Sequence, residues 1–531
     1  SKQVRVRVSD ATDITVNDVS DADFTIKVRF IVNSPNGGEV WIVNSAHDIS
    51  WSTYGTASNV RLDYSTDGGS TYPSNIVSNT GNSGTFPWVI PDAISSTVKI
   101  MITDYNDATA FDVSDSNFKI RGDLGVITPN GGEAWIVGTP YNISWTSVGA
   151  IANLKLEYSI NSGSAYPYLI IASTPVASGI FSWTIPDNLS QNCRVKITDA
   201  TDSSVYDESN ANFKIRGAMT LTSPNGAEEW TVNSVHSVTW TKISSIVNIK
   251  LEYSTDGGSS YPNVIIASAD ASTGSYNWPI PDAISAQVRV RVSDASDAIV
   301  YDTSNANFKI KGVINVLVPN GTESWEVVSN HNITWTINGS LTNVKLEYST
   351  NSGSTYPNTI NASVSAVAGT YNWGIPDSIS SLVRVKITNL ADLNVYDTSD
   401  ADFNIIGKLT LNSPNGGEVW PVGSAQPITW SRVGSIANVK LEYSTDGGVS
   451  YPNMIIASVA ATPTSYSWTV PDAISSTLKV KISDASDAAV FDVSDANFKI
   501  RGNLKLNTPN GGEAWLISQN NSITWTRFGS I

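Results

Sequence analysis

Hydrophobic and polar residues alternate in short runs along the whole chain, of which Asp48-Ile49-Ser50-Trp51, Val60-Arg61-Leu62-Asp63-Tyr64 and Val98-Lys99-Ile100-Met101-Ile102 are clear examples. A period of two sends side chains of one parity into a core and those of the other into water, so each run predicts a strand. Gly, Pro, Asn and Asp punctuate the runs, and no stretch keeps a helical period. About six or seven such strands fit into a block of roughly 95 residues, with turn residues every ~8 to 15 positions. That density predicts an antiparallel β-sandwich.

The block repeats. Pro-Asn-Gly-x-Glu begins at Pro35, Pro129, Pro224, Pro319, Pro414 and Pro509, a period of 95 residues with one interval of 94. All 17 Trp residues fall into three series locked to that period. Trp41, Trp135, Trp230, Trp325, Trp420 and Trp515 form one, and Trp51, Trp145, Trp240, Trp335, Trp430 and Trp525 a second. Trp88, Trp183, Trp278, Trp373 and Trp468 form the third. Trp51 lies in an alternating run and Trp88 precedes Ile90-Pro91, so both series are expected to pack cores, although exposed indoles would also stack on sugar rings. Each block is large enough to close its own core, which disfavours a solenoid of small repeats.

The repeat also interprets the rare residues. Cys193 stands where other blocks carry Val4, Val98, Val288, Val383 and Leu478, so it reads as a small buried apolar residue. His47, His236 and His331 each lie four residues before a second-series Trp, where other blocks have Tyr141, Gln426 and Asn521. A position so permissive does not suit a proton relay or metal ligand.

Composition narrows the function classes. Apolar residues make up 40% of the chain and charged ones only 15%, which leaves a surface dominated by Ser, Thr and Asn. The formal net charge is -16 and no basic stripe exists to neutralise phosphates, so nucleic acid is not an expected partner. No apolar run approaches the ~18 residues of a membrane-spanning helix. Phe118-Lys119-Ile120-Arg121-Gly122 runs within a few residues into Leu124-Gly125-Val126-Ile127. Connections that short predict a stiff array. The first and last residues both fall inside a block, and the expectation is a window from a longer repetitive chain.

Pro35-Asn36-Gly37-Gly38-Glu39-Val40-Trp41, Ile49-Ser50-Trp51, Trp88-Val89-Ile90-Pro91 and Phe118-Lys119-Ile120 together resemble a known module. It is the Ig-like domain of the fungal cell-wall glucan-assembly and Ser/Thr-rich GPI-anchored family, which also occurs as tandem copies in large secreted prokaryotic proteins. The resemblance implies an Ig-like fold and a wall or surface setting, with no catalytic centre. Ser65-Thr66-Asp67-Gly68-Gly69-Ser70-Thr71-Tyr72 is similar to the Asp-box, a hairpin turn in which the Asp ties down backbone N–H groups while Gly residues take positive φ. Asn161 and Asn351 replace that Asp in two blocks and can accept the same bonds. The fold class expected is all-β: tandem Ig-like antiparallel β-sandwich repeats of about 95 residues forming an extended rod. Full repeats are expected at 28–122, 123–217, 218–312, 313–407 and 408–502, flanked by the C-terminal part of one at 1–27 and the N-terminal part of another at 503–531.

Candidate chemistry is sparse. Asp104, Asp107 and Asp112, with their counterparts Asp294, Asp297 and Asp302 and Asp484, Asp487 and Asp492, supply hard oxygens at one end of a block. They suit either Asx-turns around the last hairpin or a calcium ion stiffening a junction, calcium being the one candidate cofactor. Asn389 stands at one of these positions, which counts against a site dependent on charge. Tyr72, Tyr166, Tyr261, Tyr356 and Tyr451, each before Pro, are candidates for surface contact or for stapling their hairpin. No nucleophile with a base and no recurring pair of carboxylates is evident, so no enzyme is expected. The expected function is the non-catalytic repeat region of an extracellular fibre, filament or cell-surface stalk whose partners are copies of itself. The alternative is a multivalent adhesin or carbohydrate-binding array that engages cell-surface glycans.

Overall fold

The computed structural model describes residues 1 and 3–531. Strands dominate, and three single-turn 3₁₀ helices, Val176–Ser178, Ala271–Thr273 and Ala366–Ala368, are the helical elements among the described residues. A short hairpin of β1 (Arg7–Ser9) and β2 (Asn17–Val19) comes first. The first complete sandwich follows with β3 (Arg29–Ser34), β4 (Val40–Ile42), β5 (Ala46–Tyr54), β6 (Asn59–Ser65), β7 (Ser74–Gly81), β8 (Thr85–Val89), β9 (Ser95–Asp104), β10 (Phe111–Val113) and β11 (Phe118–Arg121). β12 (Asp123–Thr128) opens the next.

One sheet has the order β3-β5-β8 and the other β4-β11-β9-β6-β7, with β10 pairing β9. Every pairing is antiparallel except β4 with β11. β9 pairs β6 along one edge and, along the other, β11 near Val98 and then β10 near Ile102. The same two sheets recur four more times, so the chain is a series of Ig-like sandwiches.

Alternation in sequence becomes alternation in burial. Val98, Ile100 and Ile102 of β9 are fully buried, while Lys99 and Met101 between them are only partly covered. The five sandwiches have five separate buried clusters. All fifteen indoles of the complete sandwiches are buried, none more than 7% exposed, so they fill cores and do not form a sugar platform. Trp41 meets Trp88 edge to face at 6.1 Å and leans on Phe118 at 5.1 Å. Such contacts add to the burial of the large rings.

His47 lies flat on Trp41, 4.5 Å between ring centroids and 3° between planes, and His236 and His331 do the same on Trp230 and Trp325. Tyr141 takes that place on Trp135. The position therefore asks for a flat group that covers an indole. Cys193 is fully buried, and burial pushes its thiol up to about 11.

The Pro-Asn-Gly-x-Glu element turns out to be a stapled corner. The Glu39 carboxylate accepts the N–H groups of Asn36 and Gly37, both at 2.8 Å. The Asn36 side-chain oxygen accepts the Asp115 N–H, and the buried Ser114 hydroxyl donates to the Pro35 carbonyl at 2.8 Å. A Cβ at Gly37, whose φ is +131°, would stand 2.4 Å from Cβ of Ser116. Only Gly permits the corner to close that tightly.

Candidate functional site

The structure gives the acidic candidates individual backbone roles. Asp112 reaches from β10 to accept the Val32 N–H at 2.8 Å, where the register of β3 on β5 shifts and leaves that donor outside the ladder. Asp302 and Asp492 accept the N–H groups of Leu221 and Leu411, each at 2.7 Å. Asp104, Asp294 and Asp484 accept from the backbone two residues on, at Asn106, Ser296 and Ser486. Asp107, Asp297 and Asp487 do likewise at Thr109, Ile299 and Ala489. These are Asx-turns. Among the described residues, no group of three or more His, Cys, Asp or Glu is placed to hold a metal ion. The three carboxylates of each set are not gathered as ligands.

The hairpin between β6 and β7 is tied by Asp67, whose Oδ1 accepts the Ser65 hydroxyl at 2.6 Å and the Thr71 N–H at 3.0 Å. Its Oδ2 accepts the Thr71 hydroxyl at 2.7 Å. The Ser65 and Thr71 hydrogen bonds hold this carboxyl at about 2. Asn161 and Asn351 accept the corresponding Ser hydroxyls, both at 2.6 Å, and the N–H groups of Ala165 and Thr355. Gly68 and Gly69 take φ of +77° and +90°.

The five tyrosines fold back over these hairpins and are half-buried. A Cβ on Gly69 would touch the Tyr72 hydroxyl at 3.0 Å. Burial raises the phenol pKa of all five. The Tyr166 hydroxyl also donates to Glu208. In three sandwiches the ring covers a cation: Lys196 beside Tyr166 at 5.5 Å, Arg291 beside Tyr261 at 4.7 Å and Lys386 beside Tyr356 at 5.6 Å.

The most repetitive functional geometry lies between sandwiches. A single residue, Gly122, separates β11 from β12, and Gly217, Gly312, Gly407 and Gly502 stand in the same place. A Cβ at Gly122 would come within 2.7 Å of Ile151 in the following sandwich. Across the joint, Asp92 Oδ1 accepts the Ala150 N–H at 2.9 Å. Asp187, Asp282, Asp377 and Asp472 accept the N–H groups of Ser245, Ser340, Ser435 and Ser530, at 3.2, 3.0, 2.9 and 3.0 Å, and each also accepts that serine's hydroxyl. The serine bonds draw the Asp377 and Asp472 carboxyls below their ordinary value. Gly149, with φ of +86°, seats between Val43 and Ile94 of the preceding sandwich, and Gly339, Gly434 and Gly529 repeat this.

Elsewhere around the joint, Lys119 pairs with Asp202 and donates to the Ser204 hydroxyl at 2.7 Å, and Lys309 pairs with Asp392. Burial works to raise the Asp202 and Asp392 pKa values, but these partners outweigh it and both end lowered. The joint between the second and third sandwiches differs. Ser244 takes the glycine position at φ of +87°, and its buried hydroxyl has no hydrogen-bond partner. A cavity of about 340 Å³ lies there between Leu189, Ser245 and Asp294, and one of about 440 Å³ lies across the fourth joint between Ile379 and Asp484.

Sequence reading singled out the acidic turns and missed the joint carboxylates. The available signal was Pro-Asp after each third-series Trp, at 91–92, 186–187, 281–282, 376–377 and 471–472, with the Asp retained in all five.

No family model matches the chain, and no curated protein is significantly similar to it. Solved structures with a similar arrangement include the N-terminal four Ig domains of Dscam1. That structure is 8% identical, spans 72% of this chain and 100% of its own, and has a TM-score of 0.21. Sidekick-1 immunoglobulin domains 1–5 are 6% identical over 89% of this chain and 98% of their own, at 0.20. The fibronectin(III)-like modules of Clostridium thermocellum CbhA are 12% identical over 35% and 94%, at 0.14. Likenesses this distant carry no inference about what the chain binds or does. No helix among the described residues is long and apolar enough to cross a membrane.

Proposed function

We propose that the chain is the non-enzymatic repeat region of an extracellular fibre, filament or surface stalk, with units at 28–122, 123–217, 218–312, 313–407 and 408–502 acting as serial spacers. The observation that carries this reading is the joint, where a one-residue Gly linker and a carboxylate capping the next loop recur five times. A linker that short removes the slack of a flexible string, and a charge-assisted bond across it limits bending. The sparse charge and the likeness to the fungal wall-associated module support a place outside the cell.

Copies of the same chain are the expected partners. The end strand of four of the five larger sheets, such as β7, Tyr168–Pro175 or Asn453–Ala460, carries no charged side chain to block pairing with another edge, and the fifth, Asn263–Asp270, has only its last residue charged. Electron microscopy of the full chain tests the reading: straight particles of uniform length support it, whereas randomly bent strings of beads overturn it. In a glycan array, saturable binding lost on replacing Tyr72, Tyr166, Tyr261, Tyr356 and Tyr451 by Ala would establish the adhesin reading instead.

A further inference from the structure

The outer face of the larger sheet carries a clamp that four sandwiches fill from within and the first leaves open. At one position of the central strand stand Lys196, Arg291, Lys386 and Lys481, and Met101 occupies that position on β9. Lys196 sits 3.9 Å from the Tyr206 ring centroid and 5.5 Å from that of Tyr166. Arg291 lies between Tyr261 and Tyr301 at 4.7 and 5.8 Å, and Lys386 between Tyr356 and Tyr396 at 5.6 and 4.1 Å. Lys481 stands 4.3 Å from Phe491. Tyr72 and Phe111 are the matching rings of the first sandwich, and between them lies a groove of about 450 Å³ over Met101.

A carboxylate stands directly across from each clamp position. Glu252 in the third sandwich holds two cations, Lys250 at 2.6 Å and Arg291 at 2.7 Å, whereas Glu157, Glu347 and Glu442 hold one each, Lys155, Lys345 and Lys440. Its counterpart Asp63, only 1% exposed and directly across the strands from Met101, holds one, Arg61, with Asn75 donating at 2.8 Å. Asp104 adds a second carboxylate to the groove wall. Rings and space are present over Met101, where the sister clamps hold their cation, while the Arg61 that lines the same groove is engaged by Asp63.

We propose that this groove binds a Lys or Arg side chain presented by a basic segment of a partner protein, held between Tyr72 and Phe111 as Lys196 is held between Tyr166 and Tyr206. The net charge of -16 favours a basic partner over a second copy of the chain. This site is independent of the array reading and stands whether or not the chain forms a stiff rod.

The three methionines make the test direct, because Met219 is buried and Met454 exposed at other places. The full chain carrying ¹³C-methyl methionine is titrated with the blocked tripeptide acetyl-Gly-Lys-Gly-amide and, separately, with its norleucine analogue. The expected result is a saturable shift of the Met101 methyl alone, at a Kd of about tens of millimolar, the strength of one small cation clamp. Replacing Lys by norleucine should weaken binding at least about fivefold, and Phe111→Ala should weaken the Lys peptide roughly two- to fivefold. Met101→Lys, which installs the residue three sister sandwiches already accommodate, should abolish binding of a fluorescein-labelled peptide measured by anisotropy. An unmoved Met101 methyl, equal binding of the two peptides, or undiminished binding by Met101→Lys overturns the proposal.

Discussion

Ser244 is the one residue at the glycine position of a joint that has to hold a side chain at positive φ and bury a hydroxyl without a partner. A non-glycine residue in that region and an unsatisfied buried hydroxyl each cost on the order of 1 kcal/mol or more. Ser244→Gly should therefore stabilise the third sandwich by about 1 kcal/mol, the gain being limited by the extra freedom of Gly in the unfolded chain. Hydrogen exchange of the amides in Val235–Ile243 measures that sandwich separately, and slower exchange in the variant is the expected outcome. At the same scale, Asp112→Ala should cost about 1 to 3 kcal/mol in the first sandwich because the Val32 N–H loses its acceptor. Asp112→Asn keeps an oxygen there and should cost less. Since these carboxylates serve backbone donors and are not gathered as ligands, melting curves in EDTA and in calcium should coincide. A calcium-dependent rise in Tm would restore the metal reading.

Elements show which parts of this protein are legible in its sequence. Strands with one buried face were readable because burial follows parity, as in β9, and the Trp51 and Trp88 series were readable as core from their neighbours, whereas the burial of the Trp41 series became visible only in the structure. The Pro-Asn-Gly-x-Glu corner was visible as a period but not as a mechanism, since its partners Ser114 and Asp115 lie 79 residues away in the chain. The acidic turns stayed ambiguous because Asx-turns and calcium loops draw on the same short polar residues; hydrogen-bond partners, not composition, separate them. The hairpin of Asp67 was readable because its contacts are local, and it makes a pH prediction. Its folded pKa is depressed to about 2, so the tie is fully present above the ordinary carboxylate value near 4 and is lost as pH falls through 2. Exchange of the Thr71 amide should accelerate over that window relative to the trend of its neighbours. The Ala165 amide, tied by the non-titrating Asn161, should show no such step.

For the whole molecule, the energy of folding resides in five separate cores, and the joints add orientation more than stability. The two can therefore be separated by mutation. Replacing Asp92, Asp187, Asp282, Asp377 and Asp472 together by Ala removes the carboxylate from every joint while leaving each buried cluster intact. Small-angle scattering should then give a shorter mean end-to-end distance and a broader distribution, with the melting of individual sandwiches shifted little. Acid should act in the same direction, because the Asp377 and Asp472 pKa values are lowered by bonds made only when the sandwiches are docked. Those bonds hold above the ordinary carboxylate pKa near 4 and fail as pH falls below it. Lys119–Asp202 and Lys309–Asp392 reinforce only the first and third joints, and the second carries the misfit at Ser244, so bending should begin at the second. Spin-label pairs placed across each joint would resolve that order, and equal broadening at the first and second joints would show that these side-chain differences do not govern stiffness.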